Sequence, residues 1–393
     1  MSMQQMLLGA GGSGALKIED VWGIEYYTGN GGPAMGGSNI VINNGLDLAS
    51  HGGLIITKSY DNAGNWNWAD SEVKQYTGYP NQPGIGSLGQ SNSAAYHVNV
   101  HGLSGSPTYG YQSFNNNGFT IGNNWAGENN SGHAFTSYAF RKAEGFFDVV
   151  TYTGTGTNPQ SVSHNLGVTP GMVIYKSYGP GNSNSSGWLV WHCDAYQGQA
   201  AGGNQNILTY GRLDSTSTFW SEYPNASGWH TPFDATNPDA SNLYLGYDGS
   251  GYITDPYMIN SLNEEYVAYV FGGGHDDETG IIKCGWYQAT GVSGLSITGL
   301  GFKPGFLMIK DLDQGTGGWF AYDEGRSVNG LSGGPLAMDT NAAQLTSGGS
   351  GGSADYGITF DSDGFTINNI HPGMNGSNTA YNKHVYIAIK TLT

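Results

Sequence analysis

Cysteine is nearly missing from this sequence: Cys193 and Cys284 are the whole supply. A small secreted domain held by disulfides carries more, in pairs, and neither cysteine has neighbours at metal-ligand spacing. Both therefore read as buried free thiols, small apolar side chains rather than reagents. Charge is scarce too, at 11% of residues, and lopsided, with 13 Lys and Arg against 30 Asp and Glu for a net charge of −17. A nucleic-acid binder needs the opposite sign, because phosphate neutralisation supplies most of its affinity, so that partner is excluded. No apolar run approaches a membrane span, and the start, Met1 to Gly9, lacks the basic region and long apolar core of a signal peptide. The expectation is synthesis in a cytoplasm, with no membrane insertion. Helical periodicity beyond about two turns is also lacking.

Catalytic signatures are missing in the same way. No GxSxG occurs, and Glu264 and Glu265 are neighbours in sequence, not two carboxylates facing across a cleft. Neither an enzyme nor a cofactor is expected. Asp276-Asp277-Glu278, Asp361-Ser362-Asp363 and Asp311-Leu312-Asp313 fall short of a calcium loop, which sets several oxygen ligands at fixed spacing around a Gly turn. They read as solvated turn carboxylates, and no metal is assigned.

What the chain has in excess is glycine and aromatics: 66 Gly, 26 Tyr, 14 Phe and 10 Trp in 393 residues. Such a composition makes short strands and many turns, so the fold class is all-β. One stretch occurs three times. It reads Gly53-Leu54-Ile55-Ile56-Thr57-Lys58, Gly171-Met172-Val173-Ile174-Tyr175-Lys176 and Gly305-Phe306-Leu307-Met308-Ile309-Lys310. The later copies enter through Pro-Gly, a turn signal, and the apolar run suits a strand buried on both faces. Each closing lysine is expected to mark where the strand surfaces.

The surrounding pattern repeats with it. Tyr26-Tyr27-Thr28-Gly29, Tyr152-Thr153-Gly154 and Tyr287-Gln288-Ala289 open the copies, and the alternating strands at Phe135–Phe140, Tyr266–Phe271 and Val385–Ile389 close them. Repeats of this length are tandem domains rather than a solenoid. The predicted organisation is an N-terminal tail over 1–17 and β-sandwich repeats over 18–144, 145–274 and 275–393. Gly272-Gly273-Gly274-His275-Asp276-Asp277-Glu278 is the most linker-like stretch.

Four positions after an aligned Trp stands a polar residue: Asp70 after Trp66, His192 after Trp188, Asp323 after Trp319. Either this group faces a ligand beside a stacking ring, or the Trp is buried and the polar residue caps a turn. The fold-bound recurrence favours the second. Long excursions interrupt the first two copies, carrying Tyr96, His97 and Tyr109 in one and Trp220, Tyr223, Trp229 and His230 in the other, among Gly, Ser, Asn and Asp. Aromatic plates beside amides and carboxylates suit sugars, and also adaptable protein contacts. The alternative is that these loops pack on neighbouring subunits. The tail's Met6, Leu7 and Leu8 are either a frayed terminus or a docking peptide.

Together, the Tyr-Thr-Gly-x-Gly opening, the Leu-Gly-x-x-Pro-Gly strand, Trp-x-x-Tyr-Asp (Trp319 to Asp323), Asp363-Gly364-Phe365-Thr366-Ile367 and the Tyr-x-Ala-Tyr-x-Phe close resemble a domain found repeatedly in tailed-bacteriophage virion proteins. The third copy matches best. The second has Gly251-Tyr252-Ile253 in place of Asp-Gly-Phe, and the first lacks Pro-Gly. The resemblance implies jelly-roll or concanavalin-like sandwiches and a tail fibre or tail appendage. It also implies docking to other virion proteins through the tail, contact with a host-surface glycan or protein, and a homo-oligomer, a trimer by preference. It carries no catalytic residues. A purely structural virion part (capsid decoration, neck or baseplate) and a glycan depolymerase are the alternatives.

Overall fold

The computed structural model describes residues 16–74, 83–88, 110–124, 127–178, 187–195, 208–222, 232–233, 236–246, 259–313, 318–326, 334–345, 356–376 and 382–392. Among the described residues nearly all regular structure is strand, in several antiparallel sheets, with one α-helical turn at Leu48–His51.

Three large sheets share one wiring. The first runs, in spatial order, Trp22–Thr28, Ala134–Arg141, Gly53–Ser59, Trp66–Lys74, Pro83–Leu88. The second runs Phe147–Thr153, Glu265–Phe271, Met172–Ser177, Leu189–His192, Leu208–Arg212, Trp220–Glu222, and the third Ile282–Gln288, Lys383–Lys390, Pro304–Asp311, Phe320–Asp323, Leu336–Ala337. In each, the recurrent apolar strand lies between the closing strand and the Trp strand, in one register. Ile56 pairs with Trp68 and Tyr138, Ile174 with Val190 and Tyr269, and Met308 with Ala321 and Ile387. A smaller sheet accompanies each: Ile40–Asn43, Gly118–Ile121 and Tyr111–Asn115 in the first copy, Gln160–Ser163 with Asn242–Leu245 in the second, and Leu295–Thr298, Gly364–Ile367 and Ile358–Asp361 in the third.

The central strands of the large sheets are buried on both faces, each face for its own reason. In the third copy Leu307, Ile309, Tyr386 and Ala388 face a private core with the small sheet, through Phe365 and Ile367. Phe306, Met308, Val385, Ile387 and Ile389 face the other way, into one apolar cluster that also takes in Leu54, Ile56, Trp66, Trp68, Tyr138 and Phe140 of the first copy and Met172, Ile174, Trp188 and Phe271 of the second. The three sheets thus close around a common centre. There, side chains such as Ile56, Trp68, Ile174, Phe271, Met308 and Ile387 line an apolar void of about 20 Å³. A strand with one face on its own partner sheet and one on its sister copies must be apolar throughout, which is what the recurrent stretch is.

Each copy ties its opening turn in the same way. Tyr27, Tyr152 and Tyr287 donate their hydroxyls to the carbonyls of Glu128, Ile259 and Met374, at 2.7–2.8 Å. The next residue is in each case a buried asparagine, Asn129, Asn260 or Asn375, whose Oδ1 accepts a turn N–H at 2.8 Å, from Asn30, Thr155 or Thr290. A buried amide is stable there because the turn backbone satisfies both of its ends. Its Nδ2 donates to Gly122, Thr157 or Val292 carbonyl oxygen.

The stretch that reads as a linker, residues 272–278, is an ordered tight turn. Gly273 has φ +80°, the left-handed region glycine accepts freely, and its N–H donates to the Asp277 carboxylate at 2.5 Å. Cys284 N–H donates back to Gly273 at 2.8 Å.

Candidate functional site

The aligned Trp-plus-four position places its three polar residues at the junctions between copies. Trp66, Trp188 and Trp319 are fully buried, and Asp70, His192 and Asp323 are 0–1% exposed. Each caps a turn: Asp70 Oδ1 accepts from Glu72 and Val73 N–H, His192 Nδ1 from Asp194 N–H, and Asp323 Oδ1 from Arg326 N–H. The other side of each group reaches into the next copy. Tyr269 Oη donates to Asp70 Oδ2 at 2.9 Å, joining copies one and two. Tyr138 Oη donates to Asp323 Oδ2 at 2.7 Å, joining copies one and three. His192 Nε2 meets the Tyr386 carbonyl at 3.0 Å, joining copies two and three.

Two of these junctions use Asp with Tyr and the third uses His, because the position equivalent to Tyr138 and Tyr269 is Ile387. With no hydroxyl to accept from, a carboxylate there would be stranded. An imidazole whose Nδ1 accepts a backbone N–H carries its proton on Nε2 and can donate to a carbonyl instead. Burial holds His192 neutral, pushing its pKa down to about 4, and burial raises the Asp70 carboxyl to about 6. These groups are spent on neighbouring copies, which is the capping alternative with an added inter-copy bond.

The three lysines depart from expectation. Lys58, Lys176 and Lys310 are 0–3% exposed instead of reaching solvent. For two of them a neighbouring copy supplies carbonyl acceptors, beside Lys58's own Ser59 carbonyl at 3.0 Å. Lys58 Nζ donates to Asn341 at 3.4 Å, and Lys310 Nζ to Ser215 and Thr216 at 3.3 and 3.2 Å. Lys176 lies 5.9 Å from the Trp188 ring centroid. Desolvation is the first cause that pushes all three down to about 8. The folded chain therefore gives up protons between pH 8 and 10.5 that the unfolded chain keeps. Stability is expected to rise with pH from about 8 to about 10, by up to roughly 3 kcal/mol per lysine. Above about 10 it falls, as buried tyrosines such as Tyr138, Tyr175 and Tyr269, raised by burial, resist ionising. Urea midpoints measured across this range check the sign, and the Lys→Met triple variant should flatten the rise.

Asp311 is likewise buried rather than solvated. It accepts from Asp313 N–H and Asn382 Nδ2. Asp363 is exposed and caps the Gly299 and Gly301 N–H groups.

One cluster was invisible in sequence. Cys193 Sγ, an Asp194 carboxylate oxygen and a His275 ring nitrogen lie within 4.8 Å of one another, the set of three potential metal ligands found among the described residues. His275 comes from the 272–278 turn, far along the chain from Cys193, so no spacing rule finds it. Both cysteines are buried and outside any disulfide, and burial raises both thiols. A neutral buried thiol is a poor nucleophile, so the trio does not read as a Cys-His catalytic pair.

Of the residues singled out in sequence, Tyr96, His97, Tyr109, Tyr223, Trp229, His230, Met6, Leu7 and Leu8 lie outside the described residues. Trp220 opens the edge strand Trp220–Glu222. In sequence, residues 89–109 follow the edge strand Pro83–Leu88 and 223–231 follow Trp220–Glu222, a sixth strand that the other two large sheets lack among the described residues.

A family model described as a domain of unknown function, DUF7483, matches residues 90–390. No curated protein matches the sequence.

Proposed function

The chain belongs to the DUF7483 family, and on the resemblance of its repeats to virion domains we propose that it is a bacteriophage virion structural protein, a tail fibre or comparable tail appendage. In this reading its three tandem units are β-sandwiches of jelly-roll or concanavalin-like type. Met6, Leu7 and Leu8 dock the N-terminal tail on other virion proteins. The aromatic excursions, with Tyr96, His97, Tyr109, Trp220, Tyr223, Trp229 and His230, contact the host surface, glycans foremost.

The observation that carries the reading is the common core. Three sheets of one wiring close around it, so that three related sheet edges belong to one body. A rigid body that presents three related edges multiplies weak contacts into avidity. Homo-oligomerisation, a trimer on the resemblance, would multiply it again.

A purely structural virion role has its own support. Parts of the second and third copies just beyond the Trp strands are used on sister copies: Phe219 N–H donates to Leu312, and Gln344 N–H to Tyr60, at 3.0 and 2.9 Å. Binding of labelled full-length protein to host cells, with and without surface polysaccharide, separates the two. Saturable binding that disappears with the polysaccharide and weakens in the Trp220→Ala/Trp229→Ala variant is expected. An assembled protein that binds no cells leaves only the structural role.

A further inference from the structure

We propose that Cys193, Asp194 and His275 form a binding site for one divalent transition-metal ion of the zinc class, at the junction where the second copy hands over to the third. The three ligand atoms lie within 4.8 Å of one another, with His275 Nε2 3.4 Å from Asp194 Oδ1 and Cys193 Sγ 3.9 Å from Asp194 Oδ2. Ligands to a tetrahedral ion at zinc–sulfur and zinc–nitrogen bond lengths sit about 3–4 Å apart, so small rotations bring the set onto one ion. One thiolate, one imidazole and one carboxylate suit a borderline-soft ion rather than Mg²⁺ or Ca²⁺, which take oxygens.

The backbone around the ligands is already fixed. Cys193 N–H donates to the Gly171 carbonyl at 2.9 Å, and Asp194 N–H to His192 Nδ1 at 3.1 Å. The turn that carries His275 lies against the same Pro-Gly corner. A Cβ on Gly274 would meet Thr169 O at 2.4 Å, and Thr169 Oγ1 donates to Asp276 at 2.8 Å. Gly171 is also where the second thiol arrives, since a Cβ there would meet Cys284 Sγ at 2.6 Å. Two separated segments, 193–194 and the 272–278 turn, thus converge on one corner with their donor atoms together. The His275 side chain is 71% exposed, so the site opens to solvent on that side and a water can complete the four ligands. Binding releases the Cys193 proton, and the ion then links the end of the second copy's Trp strand to the turn that starts the third.

The test is titration of metal-free, full-length protein with Co²⁺, followed by Zn²⁺. One ion per chain is expected, with a thiolate-to-cobalt charge-transfer band that Zn²⁺ abolishes and that Ca²⁺ and Mg²⁺ leave unchanged. Cys193→Ser should lack the band. His275→Ala, at an exposed position where folding is not at stake, should weaken Co²⁺ binding by about tenfold or more. Zn²⁺ should raise the thermal midpoint of the native chain more than that of His275→Ala at the same concentration. A titration without a thiolate band, or one that His275→Ala leaves unchanged, overturns the proposal.

Discussion

Replacing Asp323 by alanine should destabilise the protein by about 3–5 kcal/mol, the cost of leaving a buried charge without its partner. The charge is Arg326, whose side chain is 3% exposed. Its Nε donates to Asp323 Oδ2 at 2.6 Å, its Nη2 also meets that oxygen, and Nη2 donates to Tyr138 Oη at 3.0 Å. The same carboxylate accepts from Tyr26 at 2.6 Å and Tyr138 at 2.7 Å, so one substitution removes the acceptor of three side chains from two copies. Urea unfolding followed by tryptophan fluorescence measures the loss. The double variant Asp323→Leu/Arg326→Met removes both charges and should recover most of it, because an apolar pair of similar volume carries no desolvation cost. Tyr26→Phe and Tyr138→Phe should each cost about 1 kcal/mol. A loss below about 1 kcal/mol in Asp323→Ala would show that the junction between copies one and three rests on apolar contacts alone.

Trp68→Ala is expected to cost about as much, 3–5 kcal/mol, through packing rather than charge. The indole is 1% exposed, with its ring 4.8 Å from Trp188 and 5.3 Å from Tyr269, both in the second copy. The equivalent positions are Val190 and Ala321, so the three copies fill their shared centre unequally. One indole occupies room that three could not share without overpacking. Its removal enlarges the central void, and strands paired on both sides cannot collapse into the space. Because the core is common, the whole unfolding transition should shift to lower denaturant as one step. If only part of the fluorescence change moved, the copies would be energetically separate despite their contact.

The two substitutions show where the sequence is informative. Composition and period are enough for the all-β class, since a chain of short apolar runs broken by glycine can bury its backbone only in sheets. The recurrent strand, the aligned tryptophans and the closing alternation are legible because each is a local statement about burial. The polar position after the tryptophan was legible as a cap for the same reason: an Asx or His cap answers N–H groups two or three residues away.

What covers a buried face is not local. Tyr138 and Asp323 lie far apart in the chain, as do Cys193 and His275, and only the closing of three sheets around one centre brings either pair together. The lysines make the point most sharply. A strand-end lysine is solvated unless something supplies carbonyls in place of water, and here the sister copies supply them to Lys58 and Lys310. The sequence by itself determined the strands, their repetition and which side chains must leave water. The tertiary structure decided that the copies share one core, that their lysines are buried, and that a thiol, a carboxylate and an imidazole meet at the second junction. Those outcomes depend on which apolar face meets which, a contact that hydrophobic periodicity within a strand does not encode.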